Sequence, residues 1–343
     1  MGLKDWRAPT GWRRIRTIDM HTAGEPFRII VDGGPELEGA TILECRRAAR
    51  ERFDHLRRAL MWEPRGHADM YGCIITRPFS DGADFGILFT HNEGYSSMCG
   101  HGIIAMATAA VETGMVEAVE PETTVGIDSP AGLVRAFGRV DNGRVLGVRF
   151  LNVPSFVVAL DAEVEVPDLG RVRYDLAYGG AFYALVDTAD LGLRCDGEHV
   201  RSLIEAGSAI KKAVAATHEI VHPFEEDLGF LYGVIFVEPS STSGVHSRNC
   251  CVFADGEVDR SPTGTGVSAR LALHFAKGEI AMGEKIVIES LIGSSFAGRV
   301  VEETTFGPHP AVVSEVSGRA HITGRHEFVL DPDDDLVHGF MLR

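Results

Sequence analysis

Apolar residues recur at three- and four-residue spacing in two long stretches, Ala40–Trp62 (ATILECRRAARERFDHLRRALMW) and Glu198–Thr217 (EHVRSLIEAGSAIKKAVAAT). Charged residues fill the positions between them, so each stretch is predicted to form one long amphipathic helix. Two further helices are predicted in small-residue runs, GIIAMATAAVETG from Gly102 to Gly114 and GVSARLALHFAKG from Gly266 to Gly278. The rest of the chain is dominated by short runs rich in β-branched and aromatic residues, such as FGILFTH, FYALVDT and GFLYGVIFVEP, bounded by Gly, Asp or Pro. Few helices among many strands predict an α+β protein.

The pattern occurs twice. Ser97, Gly100, Gly102, Ala105 and Gly114 correspond, at one fixed offset of 164 residues, to Ser261, Gly264, Gly266, Ala269 and Gly278. Upstream, DMHTAGEPFRIIVDG from Asp19 matches DLAYGGAFYALVDTA from Asp175, and downstream IDSPAG from Ile127 matches IESLIG from Ile288. Each half also holds one of the long helical patterns. Four blocks in one order predict a duplicated fold: residues 1–155 and 156–325 form two halves, each a curved sheet around a central helix. The apolar end of the tail, residues 326–343, is expected to return to the first half, and its Asp cluster to be a solvated turn.

The 343 residues suffice for two domains. A net charge of −16 argues against nucleic acid and anionic membrane surfaces as partners. No run approaches the ~20 apolar residues of a membrane span, and MGLKDWRAPTGWRRIRT lacks the apolar core of a secretory signal. Six scattered cysteines without CxxC pairs point to a reducing compartment, and a cytoplasmic location is expected. No Rossmann fingerprint, P-loop or HExxH is present, so neither a cofactor nor a metal is expected.

The chemistry concentrates where the two copies differ. SSMCGHGIIA carries Cys99 before its first glycine, whereas RSPTGTGVSA carries Thr263. Both residues precede a helix start lined by glycines, where unpaired backbone N–H groups and the helix dipole attract anions. A carboxylate between two such ends would be held from both sides. The same position is expected to lower the Cys99 pKa toward neutrality, making the thiolate available as base or nucleophile. Thr263 is an expected N-cap.

MCGHG, DRSPTGTG, DMHTAGEP and RNCCVFADGEVDRSP together resemble the proline racemase family over nearly the whole chain. The resemblance implies the duplicated diaminopimelate epimerase-like fold, a cleft between the halves as active site, and no cofactor. In racemases and hydroxyproline epimerases of that family both turns carry cysteine; Cys99 with Thr263 is similar to the trans-3-hydroxy-L-proline dehydratase branch. Carried over by motif, Cys99 would accept the α-proton, Gly100 and His101 would form one carboxylate-binding turn, and Gly264 and Thr265 the other. Asp259 would contact the substrate nitrogen, a task His101 can share. The expected partner is a small imino acid; the resemblance leaves a homodimer open. In this substrate the hydroxyl and α-hydrogen share a ring face, so one thiol could remove the proton and then protonate the departing hydroxyl, with Thr263 filling the opposite face. The alternatives are epimerisation or racemisation of a proline, and a non-catalytic imino-acid binding protein. Phe182, Tyr183, Phe253 and His246 are candidate pocket residues, and Glu25, His91 and Glu93 are candidates for tuning Cys99.

Overall fold

The structure is a computed structural model; it describes residues 2–342, so Met1 and Arg343 lie outside the described residues. The first half runs β1 (Arg13–Thr22), β2 (Glu25–Asp32), α1 (Ile42–Arg52), α2 (Asp54–Met61), β3 (Tyr71–Thr76), β4 (Phe85–His91), α3 (Gly100–Glu112), β5 (Glu122–Ser129), β6 (Gly132–Asp141) and β7 (Arg144–Leu151). The second runs β8 (Ser155–Val166), β9 (Gly170–Tyr178), β10 (Phe182–Asp187), α4 (Val200–Thr217), β11 (Leu231–Pro239), β12 (Ser247–Phe253), β13 (Glu257–Asp259), α5 (Gly264–Ala276), β14 (Ile286–Ser290), β15 (Ser295–Phe306) and β16 (His309–Gly318). A last strand, β17 (Ala320–Leu330), pairs antiparallel with β1.

Strand pairing follows the same sequence of partners and directions in both halves. In the first, β1–β2 is antiparallel, β2–β3 parallel, β3–β4 antiparallel, β4–β5 parallel, and β5–β6–β7 antiparallel. In the second, β9–β10, β10–β11, β11–β12, β12–β14 and β14–β15–β16 repeat those directions in turn. The outer strand β17 of the first half corresponds to β8 of the second, each antiparallel to the first strand of its half. The two-halved α+β architecture is therefore what the repeated glycine turns imply.

Each half wraps its sheet around one central helix. Every residue of α3 from Gly100 to Val111 is buried, as is every residue of α5 from Gly264 to Leu273. Such helices are largely apolar and rich in small side chains so that sheet can approach on every side, with Arg270 of α5 buried against Asn249 as the exception. Gly102 shows the tightness: a Cβ there would lie 2.7 Å from both Phe27 and Phe89. The helices α1 and α4 lie outside; α1 and α2 cover a smaller core around Ile15, Leu60 and Leu88.

The single helix expected over Ala40–Trp62 is instead two. Phe53 leaves helical geometry at φ −126°, ψ 10°, ending α1 and starting α2. The break lets Arg57 turn inward, where it pairs with Asp54 at 2.6 Å and donates to the His91 and Asn92 carbonyls. A regular helix would have traded that buried network for a single backbone continuation. The tail Asp cluster forms exposed turns, with Asp331 and Asp334 accepting from nearby backbone N–H groups.

Candidate active site

The N-termini of α3 and α5 meet. A Cβ on Gly264 would lie 2.7 Å from the Gly100 Cα, and one on Gly100 would lie 2.6 Å from the Gly264 Cα. Glycine is required at both positions because backbone meets backbone there. The first N–H groups of each helix have no intrahelical acceptor, so two sets of donors converge on one point. Around that point Cys99, Gly100, His101, Asp259, Thr263, Gly264 and Thr265 line one cavity. The seven residues that the resemblance assigned to the site are therefore brought together from two distant parts of the chain.

Cys99 is the N-cap of α3, and its Sγ accepts from the Gly102 N–H at 3.2 Å. The sulfur lies 3.2 Å from His101 Nδ1 and 3.4 Å from Nε2, so it faces the ring between its nitrogens rather than in line with either. The expected lowering of its pKa is not observed. Burial pushes the thiol well above its ordinary value, and the Asp259 and Glu25 carboxylates add to that push. The Gly102 N–H and the Tyr71 hydroxyl pull the other way without winning. Desolvation outweighs the helix end because the cavity excludes the water that would otherwise solvate a thiolate. Burial likewise holds His101 neutral, with its pKa lowered to about 3.

Thr263 departs further from expectation. It sits at φ 63°, in the left-handed region, whereas Cys99 sits at φ −146°. A β-branched residue there is strained, a condition that clusters at functional sites. Its hydroxyl does not cap α5: the Thr263 Cγ2 methyl approaches Gly266 instead, and the buried Oγ1 makes no hydrogen bond. The hydroxyl is turned toward the Asp259 carboxylate and the Cys251 thiol. The two turns thus share a sequence pattern but not a backbone.

Asp259 ends β13, accepts from the Ser261 N–H at 2.7 Å, and is pushed up to about 6 by burial. The hydrogen bonds from Ser261, the nearby Thr263 hydroxyl and the charge of Arg260 limit the rise. Behind it, Glu25 of the first half accepts the Arg260 N–H at 2.7 Å, and Arg260 pairs with Asp69 at 2.7 Å. Burial and the Asp259 charge hold the Glu25 carboxyl well above its usual range.

Of the other pocket candidates, Tyr183 and Phe253 line the cavity, and the Tyr183 hydroxyl bonds Thr265 Oγ1 at 2.6 Å. Phe182 does not; it packs against Phe156 and Tyr178. His246 does not either; it bonds Ser247 and stacks edge-on against His274. Phe182 is drawn away because its strand presents alternate side chains to opposite faces, and His246 lies in the loop just before β12. His91 bonds Glu257 across the halves at 3.1 Å, and Glu93 is exposed.

Four cavity residues escaped the sequence reading, Met98 beside Cys99 among them. Tyr71 and Tyr232 join hydroxyls at 3.1 Å across the halves, and Cys251 stands beside Thr263 on β12. A signal for the tyrosines exists: MYGCI at Met70 and LYGVI at Leu231 open the corresponding strands β3 and β11.

Two like halves whose helix ends converge on a buried thiol, a carboxylate and a hydroxyl define a protein built to hold a small anion beside an acid–base group. The profile of the proline racemase family matches residues 17–341, and the chain belongs to that family. A Colwellia psychrerythraea protein named trans-3-hydroxy-L-proline dehydratase is 50% identical over 329 residues, covering 96% of this chain and 93% of the relative. A Burkholderia multivorans protein named 3-hydroxyproline 2-epimerase is 48% identical over 331 residues, covering 96% and 99%. A crystal structure of a hydroxyproline epimerase from Agrobacterium vitis, with bound trans-4-hydroxy-L-proline, superposes with a TM-score of 0.91 at 34% identity over 96% of both chains.

Proposed function

We propose that this protein is a hydro-lyase that removes water from trans-3-hydroxy-L-proline to give Δ1-pyrroline-2-carboxylate, with Cys99 as its acid–base group. The observation that carries the reading is the pairing of one thiol with one threonine across the converged helix ends. Racemisation needs a proton acceptor on one face of the ring and a donor on the other. A threonine hydroxyl is too weak an acid to serve, whereas syn elimination needs only one face.

The substrate carboxylate is held by the N–H groups opening α3 and α5. The ring ammonium lies against Asp259, with the neutral His101 able to accept a second N–H. That cation beside the sulfur supplies a positive charge that favours thiolate. The Cys99 thiolate takes the α-proton; the C3–O bond breaks and hydroxide leaves with the proton now on Sγ, as water. The resulting enamine tautomerises to the imine. Thr263 closes the opposite face, and its strained backbone presses the methyl against Gly266.

A second reading, epimerisation at C2, is favoured by one observation: Cys251 stands beside Thr263 and could exchange protons through its hydroxyl. Turnover in deuterated water separates the two. Loss of hydroxyl with imine formation supports the lyase; α-deuteration with inversion and retained hydroxyl supports the epimerase. Under the lyase reading Cys99→Ser abolishes imine formation while Thr263→Ser keeps much of it; turnover by the cysteine variant rejects the scheme. Six free, buried cysteines support a reducing cytoplasmic setting, and a homodimer is the assembly to test by sedimentation. No helix of the described residues is long and apolar enough to cross a membrane.

A further inference from the structure

The cavity around Cys99 is shut. Among its lining side chains the least covered is Tyr232, and it is only 7% exposed. Tyr232 also lines a second, open cleft of about 310 Å3 that lies between the halves. His91, at the back of that cleft, stacks on Tyr71 and meets Phe253 edge-on, and both of those rings wall the inner cavity. One layer of aromatic rings therefore separates an open space from the closed one.

The cleft is lined by cations drawn from the two helices that correspond in the repeat. Arg46 and Arg50 come from α1, one turn apart, and Lys211 comes from α4. Lys211 is anchored on the Ala254 carbonyl at 2.6 Å. Arg46 is 8% exposed; its Nη2 donates to the Tyr95 carbonyl at 2.6 Å, yet its buried Nε has no hydrogen-bond partner. A buried guanidinium N–H without an acceptor is costly and rare. Two carboxylates also line the cleft: Asp227 pairs with Arg47 at 3.4 Å and acts on Arg46 as well, and the exposed Glu93 acts on Lys211, so three cations face two carboxylates. On a chain with net charge −16, this excess of positive charge sits where a small acid would have to approach.

We propose that this cleft is a docking site for the carboxylate of the ring acid, which Arg46, Arg50 and Lys211 receive before Tyr232 gives way and the acid passes to the helix ends. The proposal rests on the functional reading above, in which the ligand is a cyclic imino acid. The carboxylate offers Arg46 Nε the acceptor it lacks, and the bidentate fork of a guanidinium suits that group. Docking there is weak and transient, because the acid must leave for the inner cavity.

The test is rapid mixing of the protein with pyrrole-2-carboxylate, a planar ring acid that cannot be dehydrated, followed by tyrosine fluorescence at low and high salt. In Arg50→Gln/Lys211→Gln the association rate is expected to fall by about three- to tenfold at low salt, and the difference to vanish near 0.5 M salt where charges are screened. The dissociation rate falls with it, since the same station is crossed outward. A second variant, Arg46→Met, covers the case in which the double variant does not fold. Unchanged association at low salt overturns the proposal, and so does a rate change that persists at high salt. Turnover of trans-3-hydroxy-L-proline by the wild type is measured separately. Its absence counts against the lyase while leaving the ring-acid binding rates to judge the cleft.

Discussion

Gly264→Ala tests the meeting of the two helix ends directly. The added Cβ would lie 2.7 Å from the Gly100 Cα and 3.1 Å from the Gly100 carbonyl carbon. Carbon atoms rest about 3.5–4.0 Å apart, so the turns must separate by roughly 1 Å, and both partners are backbone with no side chain to swing aside. Overpacking of this kind costs about 1–3 kcal/mol, and a misplacement of about 1 Å costs on the order of 100-fold in rate. The assay is imine formation from trans-3-hydroxy-L-proline together with a thermal melt. Gly197→Ala is the control, because a Cβ there meets nothing within 4 Å. The expected outcome is a large loss of kcat in Gly264→Ala, a modest loss of stability, and near wild-type behaviour in the control. Gly100→Ala forces the same gap, so combining the two should cost less than their sum. If Gly264→Ala kept kcat within twofold, the contact between the turns would not be what aligns the thiol and the carboxylate-binding groups.

Other outcomes follow from the buried charges. Because burial raises Asp259 to about 6, it is protonated and unable to hold an ammonium at lower pH. Log kcat/KM should therefore rise with a slope near one above pH 6, where only Cys99 must still lose a proton, and steepen toward two below it. Asp259→Asn should weaken turnover and erase the break. Burial raises the folded pKa of Glu25 above its unfolded value, so its contribution to stability is full below the unfolded value and is lost as pH rises. Glu25→Gln keeps an acceptor for the Arg260 N–H without that loss, and its melting temperature should gain on the wild type between pH 5 and 8. Glu25→Leu, which strands that N–H, should be about 1–3 kcal/mol less stable than Glu25→Gln at any pH in the same range.

Much of this site could be read from the chain because duplication prints the same signs twice. Gly100 and Gly264 occupy the same place in both copies, and the need for glycine at each is a contact between them. The residues around them were legible because helix starts have a local signature. What stayed hidden depends on long-range approach. The His91–Glu257 and Tyr71–Tyr232 pairs join residues more than 160 positions apart; the repeated Tyr-Gly motif marks the two tyrosines as counterparts but not their contact, and nothing local marks the first pair. The Cys99 pKa runs opposite to its local setting because burial is a property of the closed molecule. The left-handed Thr263 was equally invisible, since local preference argues against a β-branched residue there.

The way the halves are joined constrains how the site can open. The chain crosses from β7 to β8 without leaving β16: Val148–Leu151 pair with Glu315–Gly318, Asn152 N–H bonds the Ser314 carbonyl at 2.9 Å, and Ser155 and Phe156 pair with Val312 and Ala311. The hinge is thus a hydrogen-bonded ladder rather than a flexible linker. Bending about such a spine moves atoms in proportion to their distance from it. The Phe150 ring of β7 reaches Gly100, where an added Cβ would lie 3.1 Å from it, so the helix ends sit close to this spine and any bending there displaces them least.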